Sequence, residues 1–168
     1  MARRGRITSV FTIREYNDSD EPALIELMRE LQNAERPLYE HLKPADDIGV
    51  WYIGLLKKQC RELDGVILIA HDGKKHLGAA VVFTSVHEKG EEDEMPHTYA
   101  HVSELVVAAS ARGRGIATSL LDECERRSKT AGRSELYLSV LAENRTARRV
   151  YNRAGYSDLK LNMRKKLK

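Results

Sequence analysis

Apolar positions along the chain change their period several times, and each change marks an element. Val10 to Ile13 is short and rich in β-formers and predicts a first strand. Leu24, Leu27, Met28 and Leu31 then recur at helical spacing. Asp18, with Glu21 three residues on, supplies a capping pair for this helix, and Pro22 falls in the first turn, where a missing N–H costs little. Asn33 to Asp46, broken by Pro37 and Pro44, reads as a loop. A second helix is expected from about Asp47 to Leu63, with Trp51, Leu55 and Leu56 supplying much of its apolar face. Val66 to Ala70 and Leu77 to Val86 are strand-like and flank Asp72-Gly73, a tight-turn pair, which predicts an antiparallel hairpin. After the acidic stretch Glu88 to Glu94, which turns at Gly90, Tyr99 to Val107 returns as a strand. A glycine-rich turn then opens a helix to about Ser128, with Ala117, Leu120, Leu121 and Cys124 as its buried stripe.

Gly132 punctuates the end of that helix. Glu135 to Val140 reads as a strand. Asn144 can cap a helix ending near Ala154, Gly155 stops it, and Tyr156 to Met163 reads as a final strand. The order is strand, two helices, three strands, helix, strand, helix, strand. It predicts an α/β chain with one mixed sheet flanked by helices. A length of 168 residues suits a single domain over 1–168, with residues 1–9 as a flexible basic arm carrying Arg3, Arg4 and Arg6.

Composition narrows the function classes. An apolar fraction of 42% beside 32% charged residues excludes a disordered chain, and no apolar run reaches membrane-spanning length. A net charge of +3, from 28 basic and 25 acidic side chains, does not argue for nucleic acid. Arg145, Arg149 and Arg153 recur every four residues and form a helical stripe, but no familiar nucleic-acid motif accompanies them. Cys60 and Cys124 make neither a disulfide framework nor a zinc motif and read as buried structural thiols; no metal is expected. A reducing compartment and, with no export signal, a cytoplasmic location follow as expectations.

The strongest local feature runs from Glu104 to Ala117. An extended segment ending Val106-Val107 feeds the turn Arg112-Gly113-Arg114-Gly115, which opens a helix at Ile116-Ala117. Glycines let backbone curl around a ligand, and the first amides of a helix lack intrahelical partners. Such a turn binds phosphate or pyrophosphate, here with two arginines beside it. It can equally be a tight corner between strand and helix. Neither a dinucleotide fingerprint nor a nucleotide-triphosphate loop is present.

Arg112-x-x-Gly115-x-Ala117 resembles the acetyl-CoA signature of the GNAT superfamily of N-acetyltransferases. So does the stretch from Asn144 through Ala147, Val150 and Tyr151 to Gly155-Tyr156, in which Val150 replaces the usual aromatic; Ala109 stands where many members have proline. The resemblance implies an acyl-CoA N-acyltransferase fold, acetyl-CoA as acyl donor, and direct transfer to an amine. It implies that the backbone from Arg112 to Ala117, including Gly113, Arg114 and Ile116, holds the pyrophosphate. Val106 and Val107 would lie beside pantetheine, with the Val107 backbone polarising the thioester carbonyl. Asn144 and Ala147 would contact the CoA arm, and Tyr151 would stand near the sulfur and donate its proton. A homodimer is compatible with the resemblance.

A protonated amine also needs a base. Glu104 is the candidate, since it precedes Val107 on the strand entering the site; it could equally pair with an arginine or face solvent. His101 and His97 are further candidates. Strand alternation puts Glu104 and Val106 on one face and Leu105 and Val107 on the other. Acidic residues between the first two helices (Glu35, Glu40, Asp46, Asp47) and in Glu88 to Glu94 favour a cationic small acceptor such as a polyamine or aminoglycoside. The alternatives are a peptide or protein N-terminus or lysine, and a non-catalytic CoA-binding or nucleic-acid-binding domain.

Overall fold

The computed structural model describes residues 10–167, so the arm at 1–9 lies outside the described residues. Five strands form one sheet in the order β1-β2-β3-β4-β5: β1 (Thr12–Glu15), β2 (Val66–His71), β3 (His76–Glu88), β4 (His97–Val107) and β5 (Leu136–Leu138). The first four pair antiparallel, and β5 joins β4 in parallel. The helices are α1 (Glu21–Glu35), α2 (Val50–Glu62), α3 (Ile116–Thr130) and α4 (Arg145–Arg153). The β2–β3 hairpin turns at Asp72-Gly73 as expected, with Gly73 in the left-handed region.

The core is built from β2 and β3, whose middle residues Leu68, Ile69, Val81 and Val82 are fully buried, with Leu24 and Ile53 from the first two helices and Leu120 from α3. Gly78 on β3 is required by close approach. A Cβ there would stand 2.6 Å from the Val106 carbonyl oxygen, closer than packing allows.

Three expectations are corrected. The cap lies one residue earlier than Asp18 and Glu21: Asn17 accepts from Ser19 N, and Asp20 reaches back to the Asn17 amide across a short 3-10 turn. Asp20 is 1% exposed and is also held by the Arg14 guanidinium at 2.6 and 2.7 Å and by His76 Nε2 at 2.7 Å, which ties β1, the start of α1 and β3 together. On α2 the buried residues are Ile53 and Leu56. Trp51 and Leu55 are 49% and 41% exposed; the Trp51 indole N–H donates to the Asp47 carbonyl, and Lys43 lies over its ring.

The final strand over 156–163 does not form. Leu159, Leu161 and Met163 are 69%, 75% and 90% exposed. The side chains between and after them bind loops instead: Lys160 pairs with Glu94, and Arg164 and Lys166 pair with Glu40. The preceding strand is also shorter than 135–140, at three residues, and offers little ladder to extend.

Candidate active site

The sheet parts in the middle. Pairing of β4 with β5 covers only Ala100 to Val102, opposite Leu136 to Leu138. On the other side of β4, Val102 pairs with Val82 and Glu104 with Val81, so Ser103 is an extra residue, a β-bulge. Beyond it, the edge of β4 that would continue beside β5 has no strand partner. Ala108 N donates to Leu77 O, and hydrogen-bond direction alternates along a strand, so the Val107 N–H and C=O point away from β3 into the gap. Val106, by the same alternation, is spent in the ladder opposite Ala79, and its side chain is buried; of the two valines, only Val107 offers backbone to a ligand.

The glycine turn closes one end of the gap. Gly113 and Gly115 have φ of 75° and 81°, which favours glycine, and Gly115 is the N-cap of α3. The Ile116 side chain is core, so its contribution to an anion is its amide. Arg112 Nε donates to Val107 O at 3.4 Å. Arg114 Nε and Nη2 are buried with no partner among the described residues, an orphaned pair of donors that a phosphate oxygen would satisfy. The turn therefore fits a pyrophosphate-bearing donor.

Asn144 lies across the gap at the start of α4. Its side-chain oxygen accepts from Ala147 N at 3.1 Å, so Asn144 and Ala147 form the helix cap. One turn on, Tyr151 looks into a cavity of about 230 Å³ between the parted strands and the first two helices. α1 contributes Met28, Leu31, Gln32 and Glu35, α2 contributes Tyr52, and β4 contributes Val102 to Leu105; Leu42, Leu138 and Ser139 complete it.

Glu104 faces the helices α1 and α2. Its Oε1 accepts from the Tyr52 hydroxyl at 2.8 Å and from Ser103 Oγ at 3.3 Å, and neither bond uses Oε2. Burial pushes the Glu104 carboxyl up, partly opposed by those two hydrogen bonds. Burial also pushes the Glu35 carboxyl up. The Tyr151 phenol is pushed up to about 12 by burial and by the charges of Glu35 and Glu104, which keeps it protonated at neutral pH.

Tyr52 is the site residue that sequence reasoning missed. It stands 52 residues before Glu104 on another element, and only tertiary packing brings the two together. His101 and His97 do not line the cavity. None of Glu88 to Glu94 lines it either, and Glu94 and Glu40 are paired with basic residues of the C-terminal segment. Arg145, Arg149 and Arg153 are exposed. Cys124 is buried and Cys60 half-buried, and burial pushes their thiols up to about 12 and about 11. Among the described residues no three His, Cys, Asp or Glu side chains could hold a metal ion together, and no helix is long and apolar enough to cross a membrane.

A sheet that opens beside an anion-binding helix start suits a protein that lays a long phosphate-bearing donor along the opening. Residues 25–156 match the acetyltransferase (GNAT) family; the chain belongs to that family and is an acetyl-CoA-dependent acetyltransferase. Among solved structures it is similar to a tetramutant of the BH1408 protein from Bacillus halodurans, at a TM-score of 0.82 and 18% identity, over 93% of this chain and 99% of that one. It is similar to a Trypanosoma brucei acetyltransferase at 0.66 and 17%, over 94% of this chain and 100% of that one. It is also similar to AAC(6')-Iy in complex with the bisubstrate analog CoA-S-monomethyl-acetylneamine, at 0.67 and 16%, over 95% and 99%. At such identities the likeness is one of fold. A search of curated protein sequences gives no match.

Proposed function

We propose that the chain moves the acetyl group of acetyl-CoA directly to a primary amine of a small cationic acceptor, with Glu104 as base and Tyr151 as acid. The observation that carries this reading is the shared cavity, which sets the Glu104 carboxyl and the Tyr151 phenol around one space at the open edge of β4. Acetyl-CoA supplies the activated acetyl carbonyl. Arg112 to Ala117 and the orphaned Arg114 guanidinium hold its pyrophosphate, and Asn144 flanks its arm.

The acceptor enters as an ammonium attracted by the carboxylates. Glu104 takes its proton on Oε2, while Tyr52 and Ser103 hold Oε1. The free amine then attacks; the new C–N bond forms as the C–S bond breaks. The Val107 N–H stabilises the charge that grows on the carbonyl oxygen. Tyr151 gives its proton to the departing sulfur; the second proton of the newly acylated nitrogen leaves through the solvent-connected cavity and restores the phenol, and Glu104 releases its own proton to solvent.

The size of the cavity and its carboxylates favour a small cation over a peptide chain. The analog bound by AAC(6')-Iy, which joins CoA to an acetylneamine, accords with direct transfer on this fold. The test is Tyr151→Phe and Glu104→Gln, assayed by thiol release from acetyl-CoA with an amine acceptor. Each should lower kcat about a hundredfold, the lower range for a proton-transfer group, with acetyl-CoA binding unchanged. Wild-type turnover in either variant removes that residue from the mechanism.

A further inference from the structure

The cavity contains two carboxylates, Glu35 and Glu104, and none of its lining residues is Lys, Arg or His. Elsewhere among the described residues, sheltered carboxylates are matched by cations: Asp20 by Arg14 and His76, and Glu123 by Arg126 and Arg127. Glu104 has at least two hydroxyl donors. Glu35 has nothing of the kind, and burial alone perturbs it. Glu35 is half-buried, and sheltering a carboxylate even partly without a cation or donor beside it is unfavourable, so its place on the cavity wall calls for a partner. The apolar side chains beside it, Met28, Leu31 and Leu42, offer surface to methylene groups rather than to further polar atoms.

We propose that Glu35 selects acceptors bearing a second positive charge, and that the chain acetylates one end of a short aliphatic diamine whose other ammonium sits against Glu35. The proposal rests on the reading of Glu104 as base. Charge counting leads to it. The two carboxylates carry two negative charges and a diammonium acceptor brings two positive ones. Once Glu104 has taken one proton, a single negative charge remains on Glu35, facing a single remaining ammonium, so the cavity stays neutral through the proton transfer. A monoamine would leave Glu35 unmatched. At about 230 Å³ the cavity lies below the roughly 300–1,000 Å³ of sites for drug-sized ligands, which suits a diamine with a chain of a few carbons. Glu35, Glu104 and Tyr151 line the same small cavity, which again favours a short spacing between the amines.

The experiment compares putrescine with n-butylamine, which share a carbon chain and differ in the second amine. Thiol release from acetyl-CoA gives kcat/KM for each with the full-length protein. The wild type should prefer putrescine by at least about tenfold, the effect of one charge-assisted contact. Glu35→Gln should bring the ratio to near one by losing more putrescine activity than n-butylamine activity, while acetyl-CoA binding stays at the wild-type level and shows that the variant is folded. Glu35→Asp, which keeps the charge, should retain a ratio above that of Glu35→Gln. A wild-type ratio near one, a ratio unchanged in Glu35→Gln, or no transfer to either amine overturns the proposal. Glu104→Gln separates the two ideas. It should depress both amines alike and leave the ratio intact; if it depresses neither, the base assignment fails while the Glu35 comparison still decides the selectivity.

Discussion

Removing one hydroxyl tests how Glu104, the proposed base, is held. Tyr52→Phe deletes the 2.8 Å donor to Glu104 Oε1 and leaves only the longer bond from Ser103, at 3.3 Å. A hydrogen bond to a charged group contributes about 1.5–3 kcal/mol. If that contribution fixes the carboxylate for proton transfer, kcat/KM for the amine should fall about 10- to 100-fold, at 1.36 kcal/mol per tenfold. The same bond favours the ionised form of Glu104, so its loss pushes the carboxyl further up. The base then needs a higher pH to be ionised, and the acidic limb of the kcat/KM profile should move to higher pH. Thiol release across a pH series reads both effects, and the KM for acetyl-CoA should hold steady, since Tyr52 on α2 is not part of the turn proposed to hold the pyrophosphate. A variant with wild-type rate and an unmoved acidic limb would show that Tyr52 does not position the base.

Two further predictions concern the frame around the site. Asp20→Asn removes a buried charge that Arg14 and His76 surround, and breaking such a cluster from one side should cost about 3–5 kcal/mol in chemical denaturation. Its bonds hold the Asp20 carboxyl well below the usual carboxylate range, so its contribution is complete above the unfolded value of about 4 and is lost as pH falls below it; the difference in stability between wild type and variant should therefore shrink in acid. Gly115→Ala forces a side chain into the left-handed region at the start of α3, at a cost of about 1–2 kcal/mol. It should weaken acetyl-CoA binding in calorimetry more than it alters kcat at saturating donor.

Local signals carried most of the fold. The change from helical to alternating spacing at Val66, the Asp72-Gly73 turn and the two glycines after Arg112 each depend on a few neighbouring residues. They located the elements and the glycine turn before α3, and Glu104 and Tyr151 were candidates beside the resemblance. Features that depend on distant partners were not legible. Nothing near Ser103 announces an extra residue in the strand, because a bulge is defined by the register of its neighbour. Tyr52 lies on another helix and meets Glu104 only after packing, and Glu35 reads in sequence only as one acidic residue among several until packing sets it in the cavity. Trp51 read as core, yet the Asp47 carbonyl and Lys43 give it partners at the surface. Leu159, Leu161 and Met163 alternate as a strand should, but a ladder needs an edge, and in the structure Lys160 between them pairs with Glu94 and Arg164 after them pairs with Glu40.

Direct transfer at the shared cavity is tested most simply by mass. Acetyl-CoA and putrescine are incubated with the protein, and thiol release is compared with acetylated product. The account predicts one singly acetylated amine for each thiol released, with both lost together in Tyr151→Phe. Thiol release without acetylated amine, or acetylation undiminished in that variant, would contradict it.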